Sequence, residues 1–149
     1  MTQEERKSLV IDLCQRLPYG VKIDREWIAP MSGCPSHCID KLSEFDTQIL
    51  RNWCENENAG LTTIGDKVRW VRDYSCKPYL RSMSSMTEEE EKEYKKLCRT
   101  QTVTLPLEMY TRWYDTWESI DWLNAHHFDY RGLIEKGLAI EITEENNPY

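Results

Sequence analysis

One segment, residues 121–141 with the sequence DWLNAHHFDYRGLIEKGLAIE, limits the fold more than any other part of the chain. Its pattern predicts a helix, a polar corner with two adjacent histidines, a second short helix and an apolar terminal strand. Ser119 is placed to cap a turn carrying Ile120, Trp122 and Leu123. Asp129 is placed to cap a helix over 130–136, and Gly137 to supply its left-handed C′ position. Residues 138–142 read as a strand, and the tail EENNPY reads as a frayed end. So tight a succession of elements needs an apolar lining, and Leu123, Phe128, Leu133, Ile134, Leu138 and Ile140 provide one.

The rest of the chain supplies elements for that corner to pack on. Thr2 and Glu5 have capping-box spacing, in which each side chain satisfies a backbone N–H of the other residue. Leu9, Val10, Leu13, Cys14 and Leu17 then share one helical face, and Pro18 with Gly20 ends the helix. Residues 21–28 alternate loosely, and Gly65-Asp66 between two β-prone runs over 61–71 signals a hairpin. Ile39, Leu42, Phe45, Ile49, Leu50 and Trp53 fit helical spacing, which predicts a helical or irregular excursion over about 40–55. Residues 78–86 read as a connector. Thr87 caps a helix with Glu88 to Glu91 in its first turn and Lys95, Lys96 and Arg99 towards its end, an order that complements the macrodipole. Tyr110, Trp113, Tyr114 and Trp117 fall at i, i+3, i+4 and i+7 and predict an aromatic helical stripe.

These elements make an α+β fold: an N-terminal helix, a small antiparallel sheet, and a C-terminal helical half ending in a short strand. At 149 residues the chain reads as a single domain, with a helix-plus-sheet portion over 1–80 and a mainly helical portion over 81–149.

Charge and composition narrow the function classes. The formal charge of −7 disfavours sequence-independent nucleic-acid binding, which needs basic groups to displace counterions from phosphates. A local basic patch stays compatible with it. No run reaches the roughly 18 apolar residues of a membrane span, and MTQEERKSLV lacks the apolar centre of a signal peptide. The expected setting is cytoplasmic, where the six cysteines read as reduced thiols.

Three groups of residues are candidates for chemistry. Cys34, His37 and Cys38, with Cys54 or Cys76, carry thiolate and imidazole ligands suited to zinc. The spacing is CxxxC without a second pair, which favours plain loop thiols, and no cofactor is expected. His126 and His127, with Asp129 and Arg131, offer an imidazole for acid–base work and a guanidinium for a phosphate or carboxylate. The competing reading is architectural, since a histidine beside a capping aspartate often satisfies backbone groups. Trp113 and Trp117 are candidates for a binding surface, against the alternative of core packing. No nucleophile, glycine-rich loop or HExxH spacing accompanies any of them.

The stretches LCQRLPYGVKI (13–23), KPYLRSMSSMTEEE (77–90) and DWLNAHHFDYRGLIEKGLAIE (121–141) resemble a group of small uncharacterised proteins encoded in phages and mobile elements of gut Bacteroidales. The loop at 34–38 is not part of that pattern. The resemblance implies a bacterial cytoplasm and an accessory role towards host or defence machinery, and it transfers no catalytic residue. The expected function is a non-enzymatic interaction or regulatory protein with a protein partner. The alternatives are a small enzyme or nucleotide-binding protein with a pocket near His126, His127 and Arg131, and a zinc-stabilised binding module.

Overall fold

The computed structural model describes residues 2–28, 35–44, 46–48, 51, 61–64, 67–70, 72–104 and 109–149. Its first element is α1 (Gln3–Arg16), closed at its start by the Thr2–Glu5 capping box that the sequence predicts. A 3₁₀ turn (Leu17–Tyr19) ends on Gly20 in the left-handed region. The chain then enters β1 (Lys22–Ile28), pairs antiparallel with β2 (Pro35–Lys41), and resumes helical backbone at 44, 46–48 and 51. The predicted excursion over 40–55 is therefore helical in part, but its start belongs to β2. Strands β3 (Leu61–Ile64) and β4 (Lys67–Trp70) form the expected hairpin, with the Gly65-Asp66 turn itself outside the described residues.

Strand β5 (Arg72–Leu80) is the spine of the main sheet, whose order is β2-β1-β5-β8, the last strand being Ile140–Glu141. It pairs antiparallel with β1, and parallel with β8 (Ile140–Glu141) only at Tyr79 and Leu80. Pro78, which the sequence assigned to a connector, lies inside this strand. The edge facing away from β1 is still open there, so the missing N–H is tolerated.

Beyond the 3₁₀ turn Met83–Ser85 comes α2 (Glu88–Leu97), started by a Thr87–Glu90 capping box. Next is a two-stranded ribbon, β6 (Arg99–Thr104) against β7 (Met109–Tyr114), and then α3 (Trp117–Ala125). The ribbon corrects the predicted aromatic helix. Tyr110, Trp113 and Tyr114 do have helical spacing, but aromatic and Thr residues suit a pleated surface equally well, and the TQTVT run of β6 supplies a pairing partner. The helix begins only after Thr116, whose hydroxyl accepts from the Ser119 N–H; Ser119 is thus N3 of a capping box and not the cap.

The last segment also differs from expectation. Residues 130–137 form turns instead of a helix. They close in a Schellman motif: Gly137, at φ +68°, donates to the Ile134 carbonyl and Leu138 to the Leu133 carbonyl. Only Ile140 and Glu141 of the predicted 138–142 strand enter the sheet. The tail folds back instead of fraying, and the Tyr149 hydroxyl accepts from the Lys22 N–H at 2.7 Å.

One core joins both halves. Leu9, Val10 and Leu13 of α1 meet Val21, just before β1, then Ile23, Cys76 and Leu80 of the sheet and Leu133, Leu138 and Ala139 of the terminal corner. A second packing unit stacks Tyr94, Trp122 and Phe128, with ring centroids 6.1 and 5.8 Å apart, tying α2 to α3 and the corner. Among the described residues no helix is long and apolar enough to cross a membrane.

Candidate functional site

The corner at 126–131 is held from three sides. From the sheet, Arg81 donates its N–H to the His127 carbonyl and accepts the Asp129 N–H at its own carbonyl, both at 2.8 Å, so the corner prolongs β5. From α1, the fully buried Arg16 donates Nε to Asp12 Oδ2 at 2.6 Å and Nη2 to the Phe128 carbonyl at 2.8 Å. From the corner itself, the buried Asp129 carboxylate accepts the Leu133 and Ile134 N–H groups at 2.9 and 2.8 Å. Asp129 therefore organises the following turn, close to the capping role expected of it, but for a turn and not a helix.

Arg131 turns away from the histidines. Its Nη2 donates to Gln15 Oε1 at 2.6 Å and its Nε lies 3.5 Å from Asp12 Oδ1. The structure thus separates what the sequence grouped together, with Asp129 and Arg131 fastening the corner and the two histidines facing elsewhere.

His126 caps α3, and its ring stacks on Trp122 with centroids 3.9 Å apart. Its Nδ1 sits 2.8 Å from the Trp122 carbonyl, an acceptor only, so that nitrogen carries the proton. His127 is the more unusual group. It takes φ +60°, a left-handed conformation that costs a non-glycine residue about 1–2 kcal/mol. Its Nδ1 is buried without a hydrogen-bond partner, and its ring stacks on Tyr149 at 4.8 Å. Burial, reinforced by Arg16, His126 and Arg81, lowers its pKa to about 4, so the ring is neutral at pH 7.

Both histidines line an open cleft of about 660 Å³, with Arg81, Thr143, Asn147 and Tyr149 among its other walls. The Arg81 guanidinium is already engaged, bidentate to Glu90 at 2.6 and 2.9 Å and lying 4.2 Å from the centre of the Phe128 ring. It holds the Glu90 carboxyl down to about 2 and brings the cleft little net charge. Tyr149 escaped the sequence reading because a polar terminal segment carries no local sign that it docks.

The second candidate surface is the ribbon. Tyr110, Trp113 and Tyr114 are 37, 50 and 44 % exposed and Trp117 is 79 % exposed, so these rings are not core. Strand alternation puts Tyr110, Arg112 and Tyr114 on one face, opposite Val103, Gln101 and Arg99 of β6, and Trp113 on the other face opposite Thr100. The Arg112 guanidinium lies 5.4 Å from the Tyr110 ring centre, and the Tyr114 hydroxyl donates to Gln101 Oε1 at 3.1 Å. On the opposite face Lys95 Nζ lies 5.8 Å from the Trp113 ring centre. The base of the ribbon is anchored by Tyr94, whose hydroxyl donates to Asp115 at 2.5 Å; burial and that carboxylate push its pKa up.

The thiol candidates fall mostly elsewhere. Cys34 and Cys54 lie outside the described residues, as does the His37 side chain. Cys38 is half-buried, and Cys76 is buried in the core. Among the described residues no three His, Cys, Asp or Glu side chains gather as a metal site would require.

Comparison with family models, curated proteins and solved structures yields no match to this chain.

Proposed function

We propose that this is a non-enzymatic binding protein whose contact surface is the β6–β7 ribbon with the adjoining Trp117. The observation that carries the reading is the exposure of four large aromatic rings, three on β7 and the fourth at the start of α3. A two-stranded ribbon is at best marginally stable in water, and unpaired aromatic surface costs solubility. Tyr, Trp and Arg are also the residues that dominate binding hot spots. The resemblance to phage and mobile-element proteins supports an accessory role in a bacterial cytoplasm, including one directed at host defence. The test is affinity purification under native expression, with and without phage infection. Wild type is compared with a variant in which Tyr110, Trp113, Tyr114 and Trp117 are alanine. Loss of specific partners in the variant supports the reading, and an unchanged partner set refutes it.

A second reading, a small enzyme or nucleotide-binding protein, draws on the cleft at His127. A strained backbone and an unpartnered buried nitrogen beside a concavity are common marks of a functional site. It requires that His127→Gln abolish a phenotype while leaving the melting temperature unchanged; full activity in that variant would sink it.

A further inference from the structure

Resting on the ribbon as the contact surface, the chemistry of one of its faces identifies a partner class. We propose that the face bearing Tyr110, Arg112 and Tyr114 binds single-stranded nucleic acid.

The first argument is spacing. Residues two apart on a strand are about 6.8 Å apart, twice the roughly 3.4 Å rise per residue. Tyr110, Arg112 and Tyr114 therefore spring from one side of β7 with their Cα atoms at intervals of about 6.8 Å. Bases stacked directly on one another lie about 3.4 Å apart, and a planar side chain inserted between two bases doubles that to about 6.8 Å. The row matches a single strand whose bases alternate with protein rings and a guanidinium, the mode in which stacking tolerates any sequence. The Arg112 guanidinium rests 5.4 Å from the Tyr110 ring centre, so a base entering between them displaces that contact and takes its place on the ring.

The second argument is charge. Between residues 91 and 115 the sequence carries five bases (Lys92, Lys95, Lys96, Arg99 and Arg112) and four acids (Glu91, Glu93, Glu108 and Asp115), nearly balanced in a chain of formal charge −7. The charge is sorted by face: of the six residues that alternation puts together with the tyrosines (Arg99, Gln101, Val103, Tyr110, Arg112 and Tyr114), two are arginines and none is acidic. Arg99 and Arg112 both fall on the tyrosine face, where they can neutralise phosphates flanking the stacked bases. The net charge, which counts against nucleic acid for the molecule as a whole, says little about this face. A duplex is the poorer fit, because its bases are already stacked and must be prised apart to admit a ring.

The test is fluorescence anisotropy of a labelled oligothymidylate of about 15 nucleotides, titrated with the full chain at about 50 mM salt. Saturable binding in the micromolar range is expected. Affinity should fall roughly tenfold or more for Tyr110→Ala with Tyr114→Ala. For Arg99→Gln with Arg112→Gln, the slope of log affinity against log salt should flatten by about 1.4, at ~0.7 per phosphate contact on a single strand. All four side chains are exposed, and matching circular-dichroism melts confirm that the variants fold. No saturation by about 100 μM, equal affinity for a duplex of the same length, or wild-type affinity in the tyrosine variant would each overturn the proposal. Displacement by poly-glutamate as effectively as by unlabelled oligothymidylate would overturn it too, pointing to an acidic protein partner. That result leaves the ribbon as contact surface intact, whereas an unchanged partner set in the purification above removes both.

Discussion

Replacing Asp12 by alanine tests how the two halves of the molecule are fastened. Asp12 and Arg16 are both fully buried, one turn apart on α1, and share two hydrogen bonds of 2.6 and 3.1 Å. Without Asp12 the Arg16 guanidinium stays buried with the Phe128 carbonyl as its remaining acceptor and Nη1 already unpartnered. Removing one member of a buried pair costs about 3–5 kcal/mol, most of it the desolvation of the charge left behind. The reverse deletion should cost less. In Arg16→Met the Asp12 carboxylate keeps a cation, since Arg131 Nε lies 3.5 Å away on a partly exposed side chain that can close in. Urea unfolding followed by tryptophan fluorescence reads both. With a slope near 2 kcal/mol per molar, Asp12→Ala should lower the midpoint by about 2 M and Arg16→Met by distinctly less. The double variant Asp12→Leu/Arg16→Met removes both charges and should recover much of the loss. If Asp12→Ala is too unstable to purify, Asp12→Asn keeps the volume and one acceptor and should fall between it and wild type. A loss below about 1 kcal/mol at unchanged slope, or Arg16→Met as damaging as Asp12→Ala, would refute the buried-charge argument.

Other consequences follow from the corner and its surroundings. His127→Gly should be more stable than His127→Ala by about 1 kcal/mol in thermal melts, because both lack the ring and only alanine retains the cost of φ +60°. The His127 ring is neutral in the folded protein down to about pH 4, whereas unfolded it protonates near 6.5. The unfolded state therefore binds the extra proton, and stability present above pH 6.5 should decline as pH falls towards 4, a dependence absent from His127→Gln. Glu90 behaves in the same sense lower down. With its folded pKa near 2 its contribution holds above about 4.5 and fades below, so Glu90→Gln should flatten the acid limb of the melting curve. Asp129→Ala, which strips two charge-assisted acceptors from backbone N–H groups, should cost about 2–4 kcal/mol in urea unfolding. Asp129→Asn, which keeps an acceptor, should cost less.

Much of the local architecture was legible because its causes are local. Capping boxes at Thr2 and Thr87 rest on a hydroxyl and a carboxylate three residues apart, and the left-handed Gly137 on the absence of a Cβ. The apolar lining of the corner was readable for the same reason: Leu123, Phe128, Leu133 and Leu138 are all buried. The aromatic stripe misled because its spacing satisfies a helix while its composition satisfies a strand, and a partner strand settled the matter. Arg16 was missed despite a signal, since it lies on the face of Leu9 and Leu13 where a basic residue is out of place unless paired.

Sequence by itself thus determined the α+β character, the caps, the position of the corner and the residues that fill it. These depend on interactions within a few residues and on the periodicity of apolar side chains. Tertiary structure alone decided which polar residues share a site. It sent Arg131 to α1, set Tyr149 against His127 and left the ribbon's rings in solvent. The placing of Arg131 and of the tail turns on pairs more than a hundred residues apart, Gln15 with Arg131 and Lys22 with Tyr149. A hydrogen bond of that range has no period in the chain; it exists only once the core has brought both ends to the same place.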